Sequence, residues 1–286
     1  MTARRRRLPP WTWLMIAPAA VLLGVFLLVP YLNIVLMSVR PPATGAPYGP
    51  GLTLDNYRRA LTDGYYLAQL GSTLWIALLT TAATLLIGFP VAWQLARSRS
   101  RWRPVLYGIV LSPLLVGIVV RSFGWTILLG NNGVINKAAR SLGLTLAPLP
   151  LMYNTLGIVI ALTHVFLPFM ILPIMAALQT IDPVLEAAGR SLGATRRVAF
   201  RRIVLPLALP GIQSGCILVF VLALSAYVTP VLIGGMRVKT MTLTVVDTLT
   251  DAFQWPLGSA LALMLSVAGG LCVVLFARAT RMRWAP

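Results

Sequence analysis

Long apolar runs alternate with short basic segments along this chain. A helix that crosses a bilayer needs about 20 mostly apolar residues, and six of the runs reach that length. They predict transmembrane helices at residues 11–38, 66–96, 104–129, 155–178, 206–232 and 256–278. The pattern therefore indicates an all-α membrane protein with about six transmembrane helices, in one transmembrane domain that covers residues 1–286.

The first run is interpreted as a retained anchor rather than as a cleaved signal peptide. Arg4–Arg7 precede it, as basic residues precede a signal peptide. However, the apolar core of a signal peptide is only about 7–15 residues long. The stretch from Leu8 to Val39 holds no charged residue and is about twice that length, so we expect it to stay in the membrane.

The placement of Lys and Arg predicts the orientation, because cytoplasmic loops carry an excess of these residues. With the N-terminus inside, the inner segments hold 16 of them and the outer segments seven. The inner ones are Arg4–Arg7, Arg97, Arg99, Arg101, Arg103, Arg190, Arg196, Arg197, Arg201, Arg202, Arg278, Arg281 and Arg283. Both termini are therefore predicted to be cytoplasmic. A seventh span within residues 141–181 would move the cluster after residue 189 outside, so it is not favoured.

The composition favours a membrane protein over a nucleic-acid-binding protein. The net charge is +18, but only 10% of the residues are charged, against about 25% in soluble domains. The basic residues form short clusters at the ends of the spans rather than one continuous face. We expect lipid as a partner and no nucleic acid. Cys216 and Cys272 lie in apolar runs without metal-ligand spacing, so no metal site is expected.

One inner segment, residues 179–206, is more organised than a loop that only fixes topology. Asp182 is a candidate N-cap with Pro183 at the first helical position, and Gly193 suits the left-handed backbone that ends a helix. A second short helix is predicted from about Thr195 to Val204. Such a helix pair can fit a groove on a soluble partner. The alternative is a basic loop that acts only on topology.

This segment resembles the signature loop of permease subunits of ABC importers, in which E-A-A is followed by Gly, nine residues and I-x-L-P. Nine residues separate Gly193 from Ile203 here, and Leu205 and Pro206 complete the second half. In one departure, Glu186 precedes Gly193 by seven positions, where the family pattern has six. The resemblance identifies the ATPase-coupling residues as Glu186, Ala187, Ala188, Gly193, Ala194, Ile203, Leu205 and Pro206.

Further segments are similar to those of the spermidine/putrescine-type permeases. They are Leu54–Tyr57, Val120–Trp125, Gly133–Asn136, Leu167–Met170 and Trp255–Gly258. Together with the loop, these segments extend the resemblance over most of the chain, from about residue 13 to residue 278. The resemblance implies the type I ABC importer permease fold and alternating access of the pore. Related permeases carry aminoethylphosphonate, opines or ferric iron, so these solutes are alternatives to a polyamine.

The same resemblance implies partners and no catalytic role for this chain. It implies a pair of cytoplasmic ATPase subunits that bind ATP and Mg²⁺, a second homologous permease subunit and an external solute-binding protein. The sequence agrees, because neither of its two lysines stands in a G-x-x-x-x-G-K-[ST] motif. An ion-coupled secondary transporter is less favoured, since none of the six acidic residues lies at the centre of a span.

Polar and aromatic residues in or near the spans are candidates for the solute path, because charge exposed to lipid is costly. In one interpretation Arg121 lines the pore. In the other, its guanidinium pairs with a carbonyl or carboxylate group, or its side chain extends to the outer surface of the membrane. Asp247 and Asp251 are four positions apart, and with Trp255 they form a patch that suits a cationic amine or is only a solvated face. The further candidates are Trp125, His164 and Tyr227, and the predicted interface anchors are Trp11, Trp13 and Trp284.

Overall fold

The computed structural model describes residues 10–43, 45–98 and 100–282. The predicted inner charges at Arg4–Arg7, Arg99 and Arg283 lie outside the described residues, as do the anchor Trp284 and the side chains of Trp11 and Trp13. Within the described part the regular structure is helical throughout. The prediction of an all-α membrane protein is confirmed.

Twelve α-helices and two π-helical segments make up this part of the chain. The helices are α1 (Pro10–Ser38), α2 (Asp55–Thr62), α3 (Gly64–Arg97), α4 (Arg103–Leu115), α5 (Ile118–Leu129), α6 (Val134–Ser141), α7 (Thr155–Gln179), α8 (Pro183–Ser191), α9 (Arg196–Ala199), α10 (Leu205–Leu224), α11 (Met241–Thr250) and α12 (Trp255–Met282). The π-helical segments are Phe200–Val204 and Pro230–Gly234. Five helical stretches within the described residues are long and apolar enough to cross a membrane, and the bent pair described next makes a sixth.

The third predicted span, residues 104–129, is not one straight helix. α4 ends at Leu115, and the helical stretch that begins at Ile118 is turned by 101° from it. Val116 and Gly117 have extended ψ angles of 131° and 142°, which no helix can accommodate. The apolar composition of this run therefore predicted that it is helical, but it did not predict the bend.

The fifth predicted span, residues 206–232, also differs from the structure. α10 ends at Leu224, and a short helical turn then leads into the π-helical segment Pro230–Gly234. Pro230 has no N–H to donate to the carbonyl group of Ala226, and proline favours the first turn of a new helix. α10 thus ends before Pro230, and this proline stands in the first turn of the next helical segment.

The described residues form two compact units. The first consists of the residues up to Asp63 together with Val245–Met264, and the second of Gly64–Thr244 together with the residues from Leu265 onwards. In the first unit, Asn56 of α2 is buried and donates hydrogen bonds to the carbonyl oxygens of Ser38 and Arg40. These bonds fasten α2 to the end of α1.

The core of the second unit is the packing of α3, α7 and α10. Met170 of α7 lies between Gly88 of α3 and Gly215 of α10, and a Cβ atom added to either glycine would stand within 3.1 Å of Met170. At Gly211 of α10, an added Cβ would stand 2.5 Å from Cβ of Ala177 and 2.6 Å from the carbonyl oxygen of Pro173. Small residues at these crossings let the helix backbones approach closely, which is how helices associate in membranes.

We predict that Gly211→Ala destabilises the protein by roughly 1–3 kcal/mol, because the added methyl group meets backbone atoms of α7 that cannot rotate away. The matched control is Gly270→Ala on α12, where an added Cβ meets nothing within 4 Å. Thermal unfolding in detergent measures both variants. Equal melting temperatures for the two variants would contradict the close approach of α7 and α10.

Candidate functional site

The segment that carries the E-A-A and I-x-L-P residues folds as a hairpin of two helical legs, which we call the 182–206 hairpin. Its first leg is α8, with Asp182 as the N-cap and Pro183 in the first turn. The Asp182 carboxylate accepts a hydrogen bond of 2.9 Å from the N–H of Val184. The bond satisfies one of the N–H groups that have no partner within the helix.

The turn of the hairpin is closed by Gly193, whose φ is +88°. The N–H of Gly193 donates to the carbonyl oxygen of Arg190, and the N–H of Ala194 donates to that of Gly189. This pair of bonds is the Schellman motif, which needs a left-handed residue at the position of Gly193. Residues with a Cβ atom adopt this conformation at a cost of roughly 1–2 kcal/mol, so glycine fixes the direction of the turn.

The second leg differs from the separate Thr195–Val204 helix that the sequence predicts. Thr195 does begin the leg as an N-cap and accepts from the N–H of Val198. However, the helix then continues without a break from Arg196 to Leu224. The π-helical segment lies directly before Leu205 and Pro206, and the N–H of Leu205 donates to the carbonyl oxygen of Phe200, five residues earlier. The second leg, which consists of α9 and the π-helical segment, is therefore continuous with α10 and not a separate helix.

The two legs touch where Gly189 faces Ile203. An added Cβ at Gly189 would stand 2.7 Å from Cδ1 of Ile203, so a larger residue at this position would require the end of the Ile203 side chain to move. Of the other motif residues, Glu186, Ala194, Leu205 and Pro206 are half-buried, whereas Ala187, Ala188 and Gly193 are exposed.

Phe200 connects the second leg to α3. Its ring lies edge-on to Trp93 at 5.3 Å between centroids and to Phe89 at 6.0 Å. The guanidinium of Arg97, at the end of α3, lies 5.4 Å from the centroid of the Trp93 ring. Edge-to-face aromatic pairs contribute about 0.5–1.5 kcal/mol each beyond their burial. The hairpin is thus held against α3 as well as being continuous with α10.

Two of the solute-path candidates meet directly. Nε1 of Trp125 donates a hydrogen bond of 3.3 Å to Nδ1 of His164, and the two rings lie edge to face. A neutral His164 then carries its proton on Nε2 and presents a donor. His164 also lines a cavity of about 590 Å³ among α3, α4 and α7, whose other polar side chains are Gln94 and Ser112.

Arg121 lies one turn after the bend between α4 and α5, and its N–H donates to the carbonyl oxygen of Gly117. Nε and Nη1 of its guanidinium are buried and have no hydrogen-bond partner among the described residues. The neighbouring Ser122 is hydrogen-bonded at 3.0 Å to Thr229, just before the second π-helical segment. Tyr227 is exposed in the break between α10 and that segment.

The acidic patch stands at the end of α11. Asp247 is half-buried within the helix, and Asp251 is exposed just after it. The helix ends at Thr250, but the N–H of Asp251 still donates to the carbonyl oxygen of Asp247 at 3.0 Å. Trp255, 40% exposed, begins α12 four residues later.

The family described as the binding-protein-dependent transport system inner membrane component matches residues 25–283. The chain belongs to this family. It is 33% identical over 230 residues to the spermidine/putrescine transport system permease protein PotB of Escherichia coli (strain K12), covering 80% of this chain and 83% of that one. It is 30% identical over 257 residues to PotB of Haemophilus influenzae, covering 90% of each chain.

A solved structure with the same fold is that of a bacterial alginate ABC transporter in complex with an alginate pentasaccharide-bound periplasmic protein. The permease superposes on it with a TM-score of 0.72, over 95% of this chain and 94% of that chain. The sequence identity of 17% is low, so this likeness shows the fold alone. The chain is thus a multi-pass inner-membrane permease subunit of an ABC importer with the type I fold.

Sequence reasoning singled out Trp125 and His164 separately and missed that they are partners, because 39 residues lie between them along the chain. It also missed Gln94 and Ser112, which line the same cavity as His164, and Trp93 and Phe200, which pack beside the hairpin. An aromatic residue in an apolar run gives no signal of its partner. Only the one-turn spacing of Phe89, Trp93 and Arg97 on a single helix face was available as a hint.

We predict that Phe200→Ala loosens the hairpin from α3 and lets its backbone unfold locally into the active site of trypsin, because the edge-on contacts with Phe89 and Trp93 are lost. Cleavage of the detergent-solubilised permease after Arg196, Arg197, Arg201 or Arg202 should become roughly tenfold faster, as local unfolding becomes easier. Leu192→Ala is the control, since that side chain is 89% exposed. Unchanged cleavage in Phe200→Ala would show that these contacts do not hold the hairpin.

Proposed function

We propose that this permease subunit moves a polyamine such as spermidine or putrescine from the outside into the cytoplasm, driven by ATP hydrolysis on separate subunits. The observation that carries the coupling to ATP is the 182–206 hairpin. It is closed by a Schellman turn and continues without interruption into α10. A force on its tip is therefore applied to a membrane helix rather than absorbed by a flexible loop.

The orientation in this proposal follows from the basic clusters. Both termini and the hairpin lie in the cytoplasm, because the segments assigned to that side hold 16 of the 24 Lys and Arg residues. A pair of cytoplasmic ATPase subunits binds ATP and Mg²⁺, and one of them receives this hairpin. The chain itself binds no cofactor and performs no catalysis.

Two further partners complete the proposed importer. A second, homologous permease subunit forms the other half of the pore, and an external solute-binding protein delivers the solute. None of the residues in the most apolar window of α1 is buried within this chain, which leaves that helix to contact lipid or the second subunit. The pore alternates between outward and inward access around a site at the membrane midplane.

The polyamine assignment is supported by the PotB relatives and by the acidic patch. The carboxylates of Asp247 and Asp251 attract an ammonium group, and the Trp255 ring adds a cation–π contribution of about 0.5–1 kcal/mol at an exposed site. A solute with several amines and an aliphatic chain could meet all three side chains in passing.

Arg121 favours a second solute class, because a guanidinium with free donors attracts an anionic group and repels a cation. Among the alternative solutes, aminoethylphosphonate has such a group, and opines also carry carboxylates. Uptake of labelled spermidine into proteoliposomes with the complete importer, competed by unlabelled polyamines, aminoethylphosphonate and an opine, distinguishes the two classes. Competition only by the anionic solutes would exclude the polyamine.

We predict that Gly193→Pro leaves membrane insertion intact but reduces ATP-dependent uptake at least roughly tenfold, while ATP hydrolysis continues. Proline holds φ near −65° and has no N–H for the bond to Arg190, so it cannot form the turn. Gly193→Asn should keep most of the uptake, because asparagine tolerates the left-handed conformation. Uptake and hydrolysis are measured in the same proteoliposomes. Normal coupled uptake by Gly193→Pro would exclude the coupling role of the hairpin.

We also predict that Asp247→Asn combined with Asp251→Asn raises the KM for spermidine by roughly three- to tenfold, since each attraction is worth about 1 kcal/mol or less. The control is Asp55→Asn, which removes a carboxylate at the start of α2. Initial uptake rates over a range of spermidine concentrations give the KM. An unchanged KM in the double variant would remove the acidic patch from the solute path.

A further inference from the structure

The tip of the 182–206 hairpin combines an exposed apolar side chain with an excess of positive charge. Leu192, directly before the Gly193 turn, is 89% exposed, and Val184 on the first leg is 65% exposed. Monomeric proteins expose single apolar residues without consequence. However, an exposed leucine in a segment that also carries exposed arginines has the composition of an interface anchor with a polar rim.

A basic notch lies beside this anchor. Arg190 and Arg196 line the same concave surface, about 580 Å³ in volume, with Ser191 and Thr195 between them in the chain. Both arginines are exposed. Two N-caps and the Schellman turn fix the backbone around the notch. The two cations are therefore presented in a set arrangement rather than on a flexible loop.

The hairpin does not neutralise its own charge. Residues 182–206 contain five arginines and two acids. The Asp182 carboxylate is engaged with the backbone of Val184, and Glu186 is half-buried. Over the described part of the chain, no ion pair joins Arg190 or Arg196 to a carboxylate. The positive charge of the notch is thus available to a partner.

The geometry points to a receiving surface on the ATPase subunit that consists of an apolar pocket for Leu192 and adjacent carboxylates for Arg190 and Arg196. This inference rests on the proposed docking of the hairpin to that subunit and specifies the chemistry of the contact. Arginine forms two-pronged hydrogen bonds with carboxylates. Such pairs set the orientation of docking and speed the encounter, while the buried leucine slows dissociation.

Anionic lipid is the competing partner for these arginines, and the fold favours the protein. A charged bilayer surface attracts arginines whatever their arrangement, so a lipid-binding loop has no need of capped legs or a closed turn. A protein surface does require a fixed arrangement, because its carboxylates stand at fixed positions. The concave notch and the protruding Leu192 both fit a surface of defined shape.

The test uses the complete importer in vesicles and measures the ATPase subunit that stays bound to the permease after flotation. Arg190→Glu with Arg196→Glu should lower the bound ATPase by on the order of tenfold, and Leu192→Asp should do the same. Wild-type binding should weaken when KCl is raised from about 50 mM to about 500 mM, which are roughly threefold below and above physiological ionic strength. The remaining binding of the double variant should not change over this range. The control is Arg58→Glu with Arg59→Glu, which makes the same charge change at exposed residues of α2.

Three results would overturn the inference and are distinguishable. If the double variant binds normally while Gly193→Pro loses the ATPase, the hairpin docks through other contacts and the proposed function stands. If neither variant loses the ATPase, the docking role itself fails. If the double variant loses the ATPase in vesicles with phosphatidylglycerol but not in vesicles of phosphatidylcholine alone, the arginines act on lipid.

Discussion

Hydrogen bonding of the backbone in a lipid environment is the constraint on which the rest of this structure depends. No water is available there, so every interruption of a helix must be satisfied by other protein groups. Where α10 stops, the carbonyl oxygen of Leu224 accepts a bond of 2.6 Å from Thr242. Further on, the carbonyl oxygen of Ile233 accepts from the N–H of Tyr153. The non-helical stretch around Tyr227 is therefore held by other segments of the chain. Transporters commonly place their solute sites beside such interrupted helices.

Close packing holds the helices around this break together as one rigid unit. Gly88, Gly211 and Gly215 bring α3 and α10 against α7 at distances that a methyl group would prevent. The second leg of the 182–206 hairpin is continuous with α10, and Phe200 packs on Trp93 of α3. A displacement of the hairpin therefore acts on two of the three core helices of this unit. The proposed coupling to a separate ATPase subunit requires this connection between the hairpin and the core helices.

The charged residues of the permease lie in several different environments. Arginines cluster at the ends of the predicted spans, and those of the 182–206 hairpin are exposed. Arg121 is the exception, since two of its buried nitrogen atoms have no partner among the described residues. A free cation within the spans and an acidic patch at Asp247 and Asp251 favour opposite solutes.

The sequence by itself determined the features that depend on composition or on neighbouring residues. Apolar length placed the helices in the membrane. The hairpin was predictable from Asp182, Gly193 and Thr195, because the hydrogen bonds of helix caps and left-handed turns join residues only a few positions apart. Only the tertiary structure decided the 101° bend after α4, the unbroken helix from Arg196 to Leu224 and the Trp125–His164 hydrogen bond. Each of these depends on packing or on hydrogen bonds that the local sequence pattern does not specify. A local pattern records that a helix can form, but contacts between distant residues decide where it bends and what it touches.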